Sequence, residues 1–165
     1  MQKDKKKAES CAQIESFMKL LQLVELNTQL LVVYADNREK CETVIYRTDG
    51  LLALFEVGEL HPNTAAGYQL QAAVTYAGWG MEEEAYTRLE RYTDAVCRLL
   101  KDDVLLHGDA FFSRLDEWFE SFELGAQGVR DRRLIVESAR GMFAHPLLAA
   151  LSDKERVEQM IKRIK

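Results

Sequence analysis

The chain has 165 residues, a length typical of a single domain, and 47% of its residues are apolar while 30% are charged. This composition excludes a disordered or fibrous protein, and no run of 18 apolar residues is present that could span a membrane. Four of the first ten residues are lysine and two are acidic, so this segment carries a charge of +2. Because the net charge of the chain is −5, the remaining residues carry −7, which disfavours direct binding of nucleic acid.

The chain is predicted to consist of a short tail and one domain. Residues 1–7 are predicted to be a disordered basic tail or the remnant of a linker, and residues 8–165 a single α-helical domain. The lysines of the tail precede no apolar segment, so they are not a signal peptide. Cys11, Cys41 and Cys97 lie on or beside predicted apolar helix faces, which indicates buried free thiols and a cytoplasmic location.

Two helices are predicted in the first third of the chain. Apolar residues recur at steps of three and four over residues 8–34, which predicts the first helix. The second helix is predicted over residues 36–56, with Asp36 as its N-cap and Glu39 in the reciprocal position of a capping box. Gly58 is expected to supply the left-handed residue that ends it.

The most regular pattern covers residues 63–100. Asn63 is predicted to cap a third helix that ends at Gly78 or Gly80, and the glutamates at 82–84 open a fourth. One apolar stripe on each side of a short turn predicts an antiparallel pair, the unit of an α-helical repeat protein. The three carboxylates complement the helix dipole, and a metal or recognition site is the alternative. Two exposed i,i+4 ion pairs are predicted on the fourth helix, Glu84–Arg88 and Asp94–Arg98.

Three further helices complete the prediction. The fifth carries six large apolar residues over residues 111–122, interpreted as core packing, with an aromatic ligand box as the alternative. The sixth, residues 130–143, begins with three arginines that either pair with acids such as Glu137 or bind an anion. Ser152 and Glu155 predict the cap of the last helix. About seven antiparallel helices indicate an all-α superhelix of helix-turn-helix repeats.

No set of residues in the sequence points to catalysis. His61, His107 and His145 each stand apart, without the second ligand at i+3 or i+4 that a helical zinc site needs. The segment Gly78-Trp79-Gly80 lacks the preceding strand and the later glycine of a dinucleotide-binding loop. We therefore predict that the chain is not an enzyme and has neither a metal site nor a cofactor.

The helix pair over residues 63–100 resembles a tetratricopeptide repeat. Gly80 aligns with the glycine between the repeat's two helices, Ala73 and Ala85 with its small positions, and Tyr76 with its aromatic position. The resemblance implies turn and packing roles for Gly80, Ala73 and Ala85, because helices approach to about 8–10 Å only where side chains are small. Departures from the repeat occur at Gln69, where an aromatic is usual, and at Tyr92, where a small residue is usual.

A wider resemblance covers most of the chain. The stretch Tyr76–Ala85 and the ending Leu151–Ile164 are similar to the carboxy-terminal helical domain of bacterial lambda-repressor-like helix-turn-helix transcription regulators. In that family a small DNA-binding domain precedes tetratricopeptide-like helices. The resemblance implies a sensor or oligomerisation domain that forms homodimers. No basic recognition helix is found in this sequence, so the chain is not expected to bind DNA itself.

A binding groove is predicted on the first helix of the repeat unit. Its candidate residues are Leu70, Gln71 and Val74, with Tyr34 and Tyr76 nearby. Apolar groups with a few amides and phenols suit a peptide, a protein or a small effector, and plain packing against the next helix is the alternative. The favoured function is a regulatory or oligomerisation domain of a transcription regulator; a stand-alone scaffold or adaptor for protein–protein interaction is the second.

Overall fold

The computed structural model describes residues 2–101, 106–122 and 131–165. Within these ranges the backbone forms nine α-helices and no strand, which confirms the all-α prediction with more, shorter helices than the seven expected. The helices are α1 (Gln2–Val33), α2 (Arg38–Leu54), α3 (Val57–Leu60), α4 (Pro62–Gly78), α5 (Glu82–Leu99), α6 (Leu115–Glu120), α7 (Arg132–Gly141), α8 (Pro146–Ala149) and α9 (Lys154–Arg163). A 3₁₀ turn, Met142–Ala144, follows α7.

The first helix starts earlier than the sequence predicted. It begins at Gln2, so residues 2–7, expected to be a disordered tail, continue α1 in the structure. Lysine and alanine favour helix formation, and the Lys6 ammonium lies 2.9 Å from a carboxylate oxygen of Glu117 on α6. Both partners are more than half exposed, so this ion pair adds little to stability.

The three thiols differ in burial. Cys41 is completely buried, and its sulfur lies 3.2 Å from the backbone oxygen of Tyr34 as a weak donor. Burial raises the pKa of this thiol. Cys97 is only half-buried and Cys11 is exposed, so the prediction of three buried thiols is wrong for Cys11. Cys11 precedes the buried Phe17 by six residues, about 120° around the helix, so it lies outside the buried face of α1.

The ends of α2 differ from the prediction by a few residues. Asn37, and not Asp36, is the N-cap, and its Oδ1 accepts a hydrogen bond from the backbone N–H of Lys40 at 3.0 Å. The left-handed residue after α2 is Glu56, with φ of 46°, while Gly58 lies inside α3. Asp36 and Asn37 are both common in turns and at helix starts, so the composition of the turn does not show which of them caps α2.

The same kind of shift occurs at α4 and α9. His61, and not Asn63, caps α4, and its Nδ1 lies 2.9 Å from the hydroxyl of Thr64. Asp153, and not Ser152, caps α9. In each case the residue one or two positions away supplies the side-chain acceptor for the first free N–H groups of the helix.

The predicted fifth helix is reduced to the six residues of α6. The Oδ1 of Asp109 accepts hydrogen bonds from the N–H groups of Phe111 and Phe112 at 2.8 and 2.6 Å, which holds this segment as a turn before α6 begins. The core interpretation is correct for Phe112, Leu115 and Phe119, which are buried with α1 and α3, whereas Phe111 and Phe122 are exposed.

Helices α4 and α5 form an antiparallel pair on which the carboxy-terminal helices pack. Gly80 in the turn has φ of 71°, a left-handed conformation that favours glycine. Ala73 and Ala85 have no exposed surface and lie in one buried cluster with residues of α7, α8 and α9. The pair is therefore the centre of the fold, with α1 and α2 on one side and α7–α9 on the other.

Candidate functional site

The centre of the site is a buried arginine. Arg88 on α5 is 7% exposed, and its two terminal nitrogens each bind one carboxylate oxygen of Asp49 on α2 at 2.6 Å. The first nitrogen also donates to the side-chain oxygen of Gln69 on α4 at 3.2 Å. A bidentate ion pair of this kind is strong and directional. It connects three helices through residues that lie 19 and 39 positions apart.

Two tyrosines complete the network around Arg88. The hydroxyl of Tyr68 donates to Asp49 at 2.9 Å, and the rings of Tyr68 and Tyr76 lie 6.0 and 5.8 Å from the guanidinium. Burial alone would lower the pKa of Arg88, but the hydrogen bonds that it donates to Asp49 raise this pKa above its ordinary value. Burial, with the charge of Asp49, raises the pKa of Tyr68. The arginine therefore stays charged and the phenol stays a donor at any physiological pH.

A cleft of about 420 Å³ opens beside this network, between α2, α3, α4 and α5. This volume lies within the range of about 300–1,000 Å³ that is usual for ligand sites. Apolar groups of the lining are Leu52, Ala53, Ala65 and Ala95, and the polar ones include Asp49, Gln69, Glu59, Arg91, Asp94 and Arg98. Asp49 and Gln69 thus connect the buried ion pair to the cleft.

The charged groups at the rim of the cleft differ in whether they already form ion pairs or hydrogen bonds. Arg98 pairs with Glu59 and donates to the backbone oxygen of Gly58 at 3.3 Å. Asp94 pairs with Arg163 of α9. In the described part of the chain, the exposed guanidinium of Arg91 has neither a hydrogen bond nor an ion pair. It is the lining group most available to a ligand.

These contacts correct two predictions on α5. Arg88 was expected to pair with Glu84 on the solvent face, but it is buried on Asp49. Arg98 was expected to pair with Asp94, but it binds Glu59. The only sequence signal of the network is Gln69: a polar residue stands where the tetratricopeptide pattern has an aromatic one, and it is now seen to bind Arg88.

The predicted groove residues do not line the cleft, although Tyr76 belongs to the network around Arg88. Leu70, Val74 and Tyr76 are half-buried against the cluster formed with α5 and the carboxy-terminal helices. Tyr34, together with Tyr76, packs beside the cluster formed by α1, α2 and α4. Gln71 is half-buried, and none of the five is among the residues lining the cleft. Their role in binding stays a prediction.

The acidic start of α5 contacts the last helix. Arg156 of α9 binds Glu90 at 2.7 Å and Glu83 at 3.0 Å, and Glu82 binds the hydroxyl of Ser152. The glutamates therefore attach α9 to α5. Among the described residues, no three histidine, cysteine or acidic side chains converge as metal ligands would.

A second concavity, of about 560 Å³, lies between α7 and the end of α9. Its lining consists of Arg132, Arg133, Val136, Glu137, Arg140 and Lys165. Arg140 donates to the backbone oxygen of Ile164 at 2.9 Å and Arg132 to that of Lys165 at 3.3 Å. The predicted Arg133–Glu137 ion pair is not formed, and Arg130 lies outside the described residues. Two of the arginines thus hold the end of α9.

No protein-family model, curated protein or solved structure significantly matches this chain. Within the described ranges, none of the helices combines the length and the apolar character that crossing a bilayer requires.

Proposed function

We propose that this chain is a helical regulatory domain of a transcription regulator, and that it binds a short peptide in the cleft between α2, α3, α4 and α5. The observation that carries the proposal is the cleft itself, with its apolar lining, its rim of charges and the rigid Arg88–Asp49 ion pair at its side. A buried, hydrogen-bonded network fixes the positions of the polar groups that face a ligand, which lowers the entropic cost of binding.

The chemistry of the cleft suits a small apolar side chain next to a carboxylate. The alanines at 53, 65 and 95 leave room for an aliphatic group, and burial of such a group supplies affinity. The Arg91 guanidinium can receive a carboxylate, and Gln69 offers an amide to a peptide backbone. A ligand of this kind would be a peptide with an acidic residue or a free carboxyl terminus.

The regulatory role is supported by the two segments that carry the family resemblance, because they pack on each other. The stretch Tyr76–Ala85 covers the end of α4, the turn and the start of α5, and the ending Leu151–Ile164 contains α9. The backbone N–H of Ser152 donates to the carboxylate of Glu82 at 3.3 Å, and Arg156 binds Glu83 at 3.0 Å. The two segments thus belong to one structural unit. We extend the proposal to the cytoplasmic location expected from the sequence.

A selection with a peptide library tests the cleft. Peptides selected on the wild-type protein from a displayed random library are synthesised with a fluorophore, and their dissociation constants are measured by anisotropy. Ala53→Trp fills the cleft from an exposed position of α2, and we expect at least about a tenfold weaker affinity. Arg91→Glu should weaken binding of peptides that carry a carboxylate, since like charges repel.

Two control variants make the result specific. Ala149→Trp places the same aromatic group on an exposed helical alanine of α8, away from the cleft, and should leave affinity unchanged. Gln71→Ala reports on the groove predicted from the sequence. If peptides bind Ala53→Trp as tightly as the wild type, the cleft is not the site; if Gln71→Ala alone weakens them, the groove is.

The second candidate function is a stand-alone scaffold or adaptor. A scaffold needs only the helical surfaces of this domain and no DNA-binding helix pair. The mass of the endogenous protein, detected with an antibody against this domain, distinguishes the two. A species larger by one small domain supports the transcription regulator, and a species of 18.9 kDa supports the scaffold.

A further inference from the structure

The outward side of α1 has an unusual composition. Between Leu20 and Tyr34 the only charged residue is Glu25. One side of this stretch is buried in the core, yet Leu26 on the opposite side is 49% exposed and Val33 67% exposed. A surface helix normally carries charges on the side that faces water. This surface therefore has the character of a contact that the described residues of a single copy leave unmade.

The apolar residues on this side are spaced as in a coiled coil, and all of them are exposed except the half-buried Leu30. Leu23, Leu26, Leu30 and Val33, here called the outer seam, follow one another at steps of three, four and three. These are the a and d positions of a heptad repeat, which place four side chains along one line of the helix. The residues buried against α2 and α4, such as Val24 and Leu31, lie on the opposite side.

We propose that the outer seam pairs with the outer seam of a second copy of this chain, with the two α1 helices antiparallel. In antiparallel coiled coils an a position faces a d position of the partner helix. A two-fold axis near residue 28 satisfies this rule for the whole seam. Leu26 then faces Leu30 of the second copy, and Leu23 faces Val33 of the second copy. The same four residues serve both copies, as an isologous interface requires.

The charges beyond the seam favour the antiparallel arrangement. Lys19 lies one turn before the seam on the same line, and Asp36 follows the end of α1; both are exposed. The antiparallel register brings Lys19 of each copy close to Asp36 of the other, whereas parallel helices would place the two lysines together. Within one copy, the Lys19 ammonium pairs with the exposed carboxylate of Glu15 on the same helix at 2.8 Å. In the described ranges, the Asp36 carboxylate has no hydrogen bond and no ion pair.

The length of the seam sets the expected strength. Eleven residues of helix extend about 16 Å, and a contact of that length buries less than the roughly 800 Å² per partner of a standard stable interface. We therefore expect a dimer that dissociates in the micromolar range. The inference deepens the oligomerisation role of the proposed regulatory domain, and it makes no use of the peptide cleft.

Two neighbouring valines provide the test. Val33 belongs to the seam, whereas Val32 is 59% exposed and lies about 100° away around the same helix. Sedimentation equilibrium over a range of concentrations is measured for the wild type, Val33→Lys and Val32→Lys. We expect a wild-type dimer, at least about a tenfold higher dissociation constant for Val33→Lys and little change for Val32→Lys. Far-UV circular dichroism verifies that both variants are folded.

The register is tested by exchanging charges. Lys19→Asp and Asp36→Lys should each weaken the dimer, and the double variant should recover the wild-type dissociation constant. A wild-type protein that is monomeric at every concentration, or a dimer insensitive to Val33→Lys, overturns the proposal; a different protein partner then covers the seam. Peptide binding in the cleft would be unaffected by either outcome, so the failure of one proposal does not imply the failure of the other.

Discussion

Helices α1 and α5 use their outward surfaces in opposite ways. Most charged residues of α5 bind another helix: Arg88 binds α2, Glu83 and Glu90 bind α9, Asp94 binds α9 and Arg98 binds α3. The outer seam of α1 is apolar, and three of its four residues, Leu23, Leu26 and Val33, are exposed. Polar residues therefore connect the interior helix to its neighbours, while apolar ones mark the surface of the peripheral helix. The polar contacts of α5 stabilise the fold of one copy, whereas the apolar outer seam of α1 concerns the association of two copies.

The most severe test of α5 removes the partner of its buried charge. Among the described residues, Asp49→Ala leaves the buried Arg88 guanidinium with Gln69 as its one remaining hydrogen-bond partner. Removing one member of a buried ion pair costs about 3–5 kcal/mol. Because the Asp49 side chain is 33% exposed, we expect the lower end, a loss of about 3 kcal/mol. Urea denaturation measures the free energy of unfolding.

An exposed ion pair provides the control. Arg38→Ala removes the partner of Glu42 on the surface of α2 and should cost far less stability than Asp49→Ala. The double variant Asp49→Ala with Arg88→Met should recover part of the loss, because no uncompensated charge remains. Equal effects of Asp49→Ala and Arg38→Ala would mean that the buried network does not hold α2 to α5.

A substitution at the close contact between α4 and α5 should have a smaller effect on stability. Ala85 has no exposed surface, so Ala85→Leu must displace neighbouring side chains. Overpacking of this kind costs about 1–3 kcal/mol. Thr87→Leu enlarges an exposed residue of the same helix and should change stability by less than about 0.5 kcal/mol. An unchanged melting temperature for Ala85→Leu would show that the helix pair is not packed through this alanine.

The comparison of α1 with α5 also shows what the sequence could predict of the fold. On α5 only one face is apolar, so the period of the pattern identifies the buried residues Ala85, Leu89, Tyr92 and Val96. On α1 apolar residues occur on both sides, and the period alone does not tell Val24 from Leu26. The helix caps were predicted in the right turns, but adjacent residues such as Asp36 and Asn37 differ too little in capping preference for the exact position to be predicted.

The candidate site was beyond the reach of sequence patterns. Its central ion pair joins Asp49 to Arg88, and periodicity describes only neighbours three or four residues apart on one helix. The i,i+4 rule for ion pairs on a helix instead predicted that Arg88 pairs with Glu84. Once α4 and α5 are known to be antiparallel, Gln69 and Arg88 come together, so the unusual polar residue at Gln69 was the one available signal.

The smallest predicted effect concerns His61, which contacts α1 at the start of α4. Its ring lies 6.4 Å from that of Phe17, and burial lowers its pKa, with partial opposition from Glu25. The neutral ring accepts a hydrogen bond from the N–H of Thr64 as the N-cap of α4, and a protonated ring cannot. His61→Ala should therefore cost about 1 kcal/mol at neutral pH, the usual contribution of an N-cap.

The pH dependence of stability then distinguishes the cap from simple packing. Because the folded pKa of His61 lies below its ordinary value of 6.5, the neutral form stabilises the fold above that pH, and this stability is lost as the pH falls through the folded pKa. His61→Asn keeps a capping oxygen but cannot titrate. The wild type should thus lose more stability than His61→Asn between pH 7 and pH 5 in urea denaturation. Parallel pH profiles would mean that protonation of His61 does not oppose folding, and that the joint between α1 and α4 depends on packing alone.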